Sequence, residues 1–125
     1  MSTIGFEGSV RPTTDRVVID LRGQIDGAAR EALGAVYEQA AAEGTDAILL
    51  NFAHVEYINS TGIALIVGLL GRARAEGRSL SACGLSDHYR EIFEVTRLAD
   101  FIPMYADETD AASADERSRD GRGDR

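Results

Sequence analysis

The residues of this chain that could do chemistry are concentrated in Asn59-Ser60-Thr61-Gly62, a run of small polar side chains between two apolar stretches. Val55-Glu56-Tyr57-Ile58 before it reads as the end of a strand, and Ile63-Ala64-Leu65-Ile66-Val67 after it as the start of a helix. Asn59, Ser60 and Thr61 can each accept a hydrogen bond from the free N–H groups of a helix's first turn. A hydroxyl held there sits at the positive end of the helix dipole. A phosphate placed on it would be stabilised by that dipole and by the free N–H groups. The same residues also suit a plain helix cap, and spacing alone does not separate the two roles.

The other chemically capable side chains form no constellation. His54 and His88 have no carboxylate or cysteine at metal-ligand spacing, and Cys83 at a strand end reads as a small core residue. Glycine-rich phosphate loops, nucleophile elbows and paired carboxylates are missing from the sequence. The expectation is a protein without catalytic residues, cofactor or metal.

A single mixed sheet can position that helix mouth. Ile4 to Val10 alternates weakly and fits an edge strand, followed by a Pro-containing turn over Arg11 to Asp15. Val17 to Leu21 is β-branched and ends at Arg22-Gly23, a strand pattern. Asp26 is placed to cap a helix running to Glu43 with Gly44 as its stop, and Leu33, Val36, Tyr37 and Ala40 recur at helical spacing within it. Ala47 to Leu50 is a continuous apolar run, as in a strand buried on both faces. A second helix is expected from about Thr61 to Glu76 with Gly77 as its stop, and Leu80 to Cys83 as the next strand. Ser86 caps a third helix to about Leu98, and Phe101 to Tyr105 closes the fold at an edge, where Pro103 is tolerated. Strand–helix alternation implies right-handed crossovers and a parallel core. The fold class is therefore α/β: a mixed sheet of four to five strands, the first joined as a hairpin, packed against helices.

Residues 1–106 make one domain, and the stretch from Asp107 to Arg125 reads as a disordered acidic and arginine-rich tail without aromatic or branched apolar residues. The 125-residue chain carries a net charge of -8, and all its basic residues are arginine. Such a surface repels nucleic acid phosphates, so no nucleic acid partner is expected. One cysteine precludes an intrachain disulfide, and neither a signal peptide nor a membrane-spanning run is present. Together these suggest a cytoplasmic protein.

The strand Val17 to Leu21, Gly23, Asp26, the Ile48-Leu49-Leu50 strand and Asn59-Ser60-Thr61-Gly62-Ile63 together resemble the STAS domain family. Leu80 to Leu85 and Ile92 to Leu98 extend the likeness, in the right order, over almost all of the expected domain. Within that family the sequence is most similar to bacterial anti-sigma factor antagonists. The resemblance implies partner switching. The unphosphorylated protein binds an anti-sigma factor that is itself a serine kinase of the histidine-kinase-like ATPase fold, phosphorylation of Ser60 releases it, and a PP2C-type phosphatase resets the cycle. It also implies that Asp26, Asn59, Thr61, Gly62 and Ile63 lie at the partner surface. The sequence departs from the antagonists at Asn59 and Asn51, where aspartate is usual. The alternatives are a STAS docking subunit of a lipid transport or scaffold complex that is not phosphorylated, and a nucleotide- or lipid-sensing module. Monomer and homodimer are both left open.

Overall fold

The computed structural model describes residues 5–113. Strands β1 (Phe6–Pro12), β2 (Val17–Ile25), β3 (Ala47–Ile58), β4 (Ser79–Cys83) and β5 (Met104–Tyr105) form one sheet in chain order. β1 runs antiparallel to β2, and every later pair is parallel. This is the expected mixed sheet, at the upper end of the strand count.

Helix α1 (Arg30–Ala41) follows β2, α2 (Ser60–Ala75) follows β3, and α3 (Asp87–Val95) follows β4. All three cover one face. There Ile19, Leu21, Ile48, Leu50 and Phe52 from the strands meet Leu33, Val36, Tyr37 and Ala40 of α1, Ile66 and Leu70 of α2 and Phe93 of α3. Burying each such large apolar side chain contributes about 1.5–3 kcal/mol before the entropy of ordering it. The predicted stripe of α1 is the buried set of that helix. Polar contacts lock α1 to the far end of α2. The buried Tyr37 donates its hydroxyl to Glu76 at 2.9 Å, and Arg72 bridges to Glu38 at 2.8 Å.

Several boundaries differ from expectation. Asp26 caps a 3-10 turn over Gly27–Ala29, which then feeds α1, so the cap acts one turn earlier than a direct helix start would require. β2 continues through Gly23 to Ile25, and β3 continues through Asn51 to Ile58, because the two strands go on pairing from Arg22 and His54 to Ile25 and Ile58. α3 stops at Val95, and Arg97 adopts a left-handed backbone (φ +68) before a 3-10 turn over Leu98–Asp100.

The largest correction concerns the chain's end. Residues 108–113 are helical and lie on the sheet face opposite α1 to α3, so the tail expected to be disordered from Asp107 begins with an ordered segment. Asp107 accepts from the Asp110 N–H at 2.8 Å, as a cap does. Ala111 is 1% exposed and packs on Val18, Leu49 and Cys83. The guanidinium of Arg11 joins Glu108 (2.8 and 2.9 Å) to Asp20 (2.9 and 3.1 Å). One alanine methyl, the shared Arg11 and the buried Arg16, which donates to the Ala111 carbonyl at 3.4 Å, anchor the segment, which is why its composition conceals it. The rest of the expected tail, residues 114–125, lies outside the described residues.

Candidate functional site

β2 and β3 are parallel neighbours that end side by side at Ile25 and Ile58, so the residues that follow them share one end of the sheet. The Asn59 N–H donates to the Ile25 carbonyl at 3.2 Å, tying the two exits together. Asn59 is extended (φ -96, ψ -176), and its side-chain oxygen accepts from the Gly62 N–H at 2.8 Å. Asn59 is therefore the N-cap of α2, and Ser60 is the first helical residue. Of the two roles that spacing left open for Ser60, the capping bond belongs instead to the neighbouring Asn59 side chain. Ser60 and Thr61 are exposed, and no hydrogen bond engages either hydroxyl among the described residues.

Gly62 is buried because the helix starts in contact with the sheet. A Cβ there would lie 2.0 Å from the Ile25 carbonyl oxygen, a separation no side chain tolerates. The approach fixes the height of α2 above β2 and with it the position of the Ser60 hydroxyl. The Asp26 loop lies alongside, since a Cβ built on Gly27 would come within 3.6 Å of the Thr61 methyl. Asp26 is half-buried and accepts from the Ala28 N–H at 3.0 Å. The structure thus brings Asp26, Asn59, Ser60, Thr61 and Gly62 into one neighbourhood. Ile63 is partly buried and leads away from it.

Ile63 opens a groove of about 440 Å³ that runs down α2, lined by Val67 and Leu70 and closed by Arg97, Leu98 and Phe101. Val67 and Phe101 are 45% and 51% exposed there, and Arg74 lies 5.4 Å from the Phe101 ring. The groove and the helix mouth form one continuous surface, part apolar and part polar.

Tyr89 supports this end of the fold, and Asn51 the opposite face of the sheet, in ways that sequence spacing did not reveal. The Tyr89 hydroxyl accepts from the Ile58 N–H at 3.0 Å, so α3 pins the last residue of β3 just before the cap. A tyrosine three residues after the cap serine of α3 is the only local signal, and it does not name its partner. Asn51 lies on the opposite face, where it donates to Asp20 at 2.9 Å and accepts from the Ala53 N–H at 3.1 Å. An aspartate at 51 would meet the Asp20 carboxylate instead. The Arg11 hydrogen bond, helped by Asn51, holds the Asp20 carboxyl below the usual carboxylate range. Asn51 is thus explained by its own surroundings. Cys83 is buried under Ala111, and burial pushes its thiol up to about 11, far from reactive. Among the described residues no group of three or more His, Cys, Asp or Glu side chains is arranged to hold a metal, and no helix is long and apolar enough to cross a membrane.

One mixed sheet with α1 to α3 on one face and the helical segment 108–113 on the other places this chain in the α/β class, with the capped mouth of α2 at one end of the sheet. Residues 9–104 match the family model described as Mlab, STAS domain, and the chain is a member of the STAS domain family. A relative named anti-sigma-B factor antagonist from Staphylococcus aureus (strain NCTC 8325 / PS 47) is 37% identical over 60 residues, or 48% of this chain and 56% of the relative. The match therefore spans a little over half the length of that relative. An anti-sigma factor antagonist from Mycobacterium paratuberculosis superposes with a TM-score of 0.77 at 19% identity, covering 90% of this chain and 96% of the other. The Bacillus cell fate determinant SpoIIAA in its phosphorylated form superposes with a TM-score of 0.65 at 24% identity, covering 86% and 98%.

Proposed function

We propose that this chain is an anti-sigma factor antagonist that works by partner switching. With Ser60 free, the α2 mouth and its groove dock on an anti-sigma factor that is a serine kinase of the histidine-kinase-like ATPase fold. With Ser60 phosphorylated, the complex falls apart, and a PP2C-type phosphatase restores the free form. The observation that carries this reading is the exposed Ser60 hydroxyl, left without a bond because Asn59 takes the cap. The antagonist names of the relatives and the phosphorylated form of a structural neighbour support it.

The physical account is electrostatic. A phosphate adds about -1.5 to -2 charge at neutral pH. On the protein it is welcomed by the first-turn N–H groups, so the free modified form is not destabilised. In a closed interface beside Asp26 it must be desolvated next to another anion, which weakens the complex.

The test is a binding titration against the cognate kinase, together with intact-mass analysis of the protein from its native host. Ser60→Ala should bind as tightly as the unmodified protein and stay bound in the presence of ATP. Ser60→Asp should bind at least about tenfold more weakly, roughly 1.4 kcal/mol. Equal affinities for the two variants, or a Ser60 that stays unmodified under every growth condition, would leave docking without a phosphoserine switch.

A further inference from the structure

We infer that the free edge of β1 is a self-pairing edge, on which a second copy of this chain docks antiparallel about a two-fold axis at Ser9. β1 ends the sheet, and among the described residues nothing pairs with its outer side. Its hydrogen-bonding parity follows from one bond. The Gln24 N–H donates to the Gly5 carbonyl at 3.0 Å, and Gly5 lies one register step before the Phe6–Gly23 pair. Bonded and non-bonded pairs alternate along an antiparallel ladder. Glu7, Ser9 and Arg11 therefore turn their amides toward β2, and Phe6, Gly8 and Val10 turn theirs outward. Pro12 also faces outward, where its missing N–H costs the sheet nothing.

Two such edges can meet in a register that sets Ser9 against Ser9. Gly8 of one copy then exchanges both backbone bonds with Val10 of the other, and Phe6 donates to the Pro12 carbonyl. Glu7 falls opposite Arg11 twice, once on each side of the axis. Both pairs occupy the non-bonded type of position, where side chains come closest. Shifting the axis to Gly8 or Val10 loses both charge pairs, so the sequence Glu7-Gly8-Ser9-Val10-Arg11 selects one register. Edge strands are commonly protected by charge. Here the charges of Glu7 and Arg11 are complementary to those of a second copy in this one register.

The flanking surface leaves room for this approach. Glu7, Gly8, Ser9 and Arg11 are exposed, and a groove of about 640 Å³ runs along the edge between Gly8 to Val10 and Gln39 of α1, with Ala42 and Glu43 just beyond its end. Arg11 stays on the face where it binds Asp20 and Glu108, so pairing would extend that ion network across the axis. The edge is separated from β3 and the Ser60 mouth by β2, and the dimer leaves both mouths open.

The experiment is sedimentation equilibrium of the full chain from about 10 μM to about 1 mM, with three variants. The unmodified protein should dimerise within that range. Glu7→Arg should weaken the dimer at least about tenfold. Arg11→Glu should do the same, and an equimolar mixture of the two should recover it, because each copy then supplies the charge the other lacks. Ser9→Cys should form a disulfide-linked dimer on mild oxidation, with the buried Cys83 taking no part. A chain that stays monomeric throughout, or a dimer indifferent to Glu7→Arg, overturns the inference. If Arg11→Glu disturbs folding through its lost partners, Glu7→Arg and the Ser9→Cys crosslink decide the matter: absence of the crosslink overturns it.

Discussion

Replacing Asn59 by aspartate separates what the cap does for the helix from what it does to a phosphate. The side-chain oxygen of Asn59 sits 2.8 Å from the Gly62 nitrogen, and aspartate can keep that bond while adding a charge. The first turn of α2 holds no acidic residue, so the helix itself supplies no anion against the newcomer and only the neighbouring Asp26 loop carries one. Interaction with the helix dipole should raise stability by about 0.3–1 kcal/mol. Phosphorylated Ser60 reverses the balance. Two anions about 6 Å apart, one of them doubly charged, repel by roughly 1.4 kcal/mol in water and by about half that at physiological salt. The assay is urea unfolding of four species, with asparagine or aspartate at 59 and with or without phosphoserine at 60, read as a double-mutant cycle. The expected coupling is unfavourable, about 0.5–1.5 kcal/mol, and shrinks as salt is added. If aspartate stabilises the modified and unmodified proteins equally, the phosphate does not lie at the helix mouth and the reasoning fails.

Gly62→Ala should be severely destabilising, by about 3 kcal/mol or more, because its methyl would meet a backbone carbonyl that cannot step aside; a midpoint of thermal unfolding within a few degrees of the unmodified protein would contradict the close approach. Tyr89→Phe should cost about 1 kcal/mol and speed hydrogen exchange at the Ile58 amide, which loses its only side-chain acceptor; unchanged exchange there would show that the pin is not needed. Acid should loosen the C-terminal segment. The Arg11 hydrogen bonds hold the carboxyls of Glu108 and Asp20 below their usual range, so their stabilising effect is present above the unfolded values near about 4 and is lost as pH falls through the lower folded ones. Glu108→Gln should therefore be less stable at neutral pH and lose less on acidification, and parallel unfolding curves between about pH 2 and pH 6 would refute the pairing.

The elements most legible in the sequence are those whose burial pattern is local. Leu33, Val36, Tyr37 and Ala40 announce the inner face of α1, and the glycines after α1 and α2 mark their ends. The start of α2 was legible only to within a residue. Asn59, Ser60 and Thr61 are all competent caps, and the extended backbone of Asn59 alone decides among them. The two ends of β3 were legible, as Ala47 to Leu50 and Val55 to Ile58, but their union through Asn51 to His54 was not, because the polar His54 owes its strand conformation to pairing with Arg22 of β2. Nor was the Tyr89 pin, whose two ends lie 31 residues apart. For the site itself, spacing supplied a hydroxyl at a helix mouth, and the ordered likeness to a family supplied the reason to attend to it. That Asn59 frees the hydroxyl, and that Gly62 sets its height, follows only from the folded backbone, which brings α2 against the Ile25 carbonyl.

The segment at 108–113 also bears on how the protein is made. Arg11 leaves the ribosome early, and the carboxylate that shares it with Asp20 arrives 97 residues later. Until then Val18, Leu49 and Cys83 form an apolar strip on the uncovered side of the sheet. The nascent domain can assemble its helix-covered face first, but its other face stays adhesive until Ala111 has emerged. A chain ended at residue 106, close to where the family match stops at 104, would keep that adhesive strip permanently. The few residues beyond the family's boundary thus shield the side of the sheet that no other described helix covers.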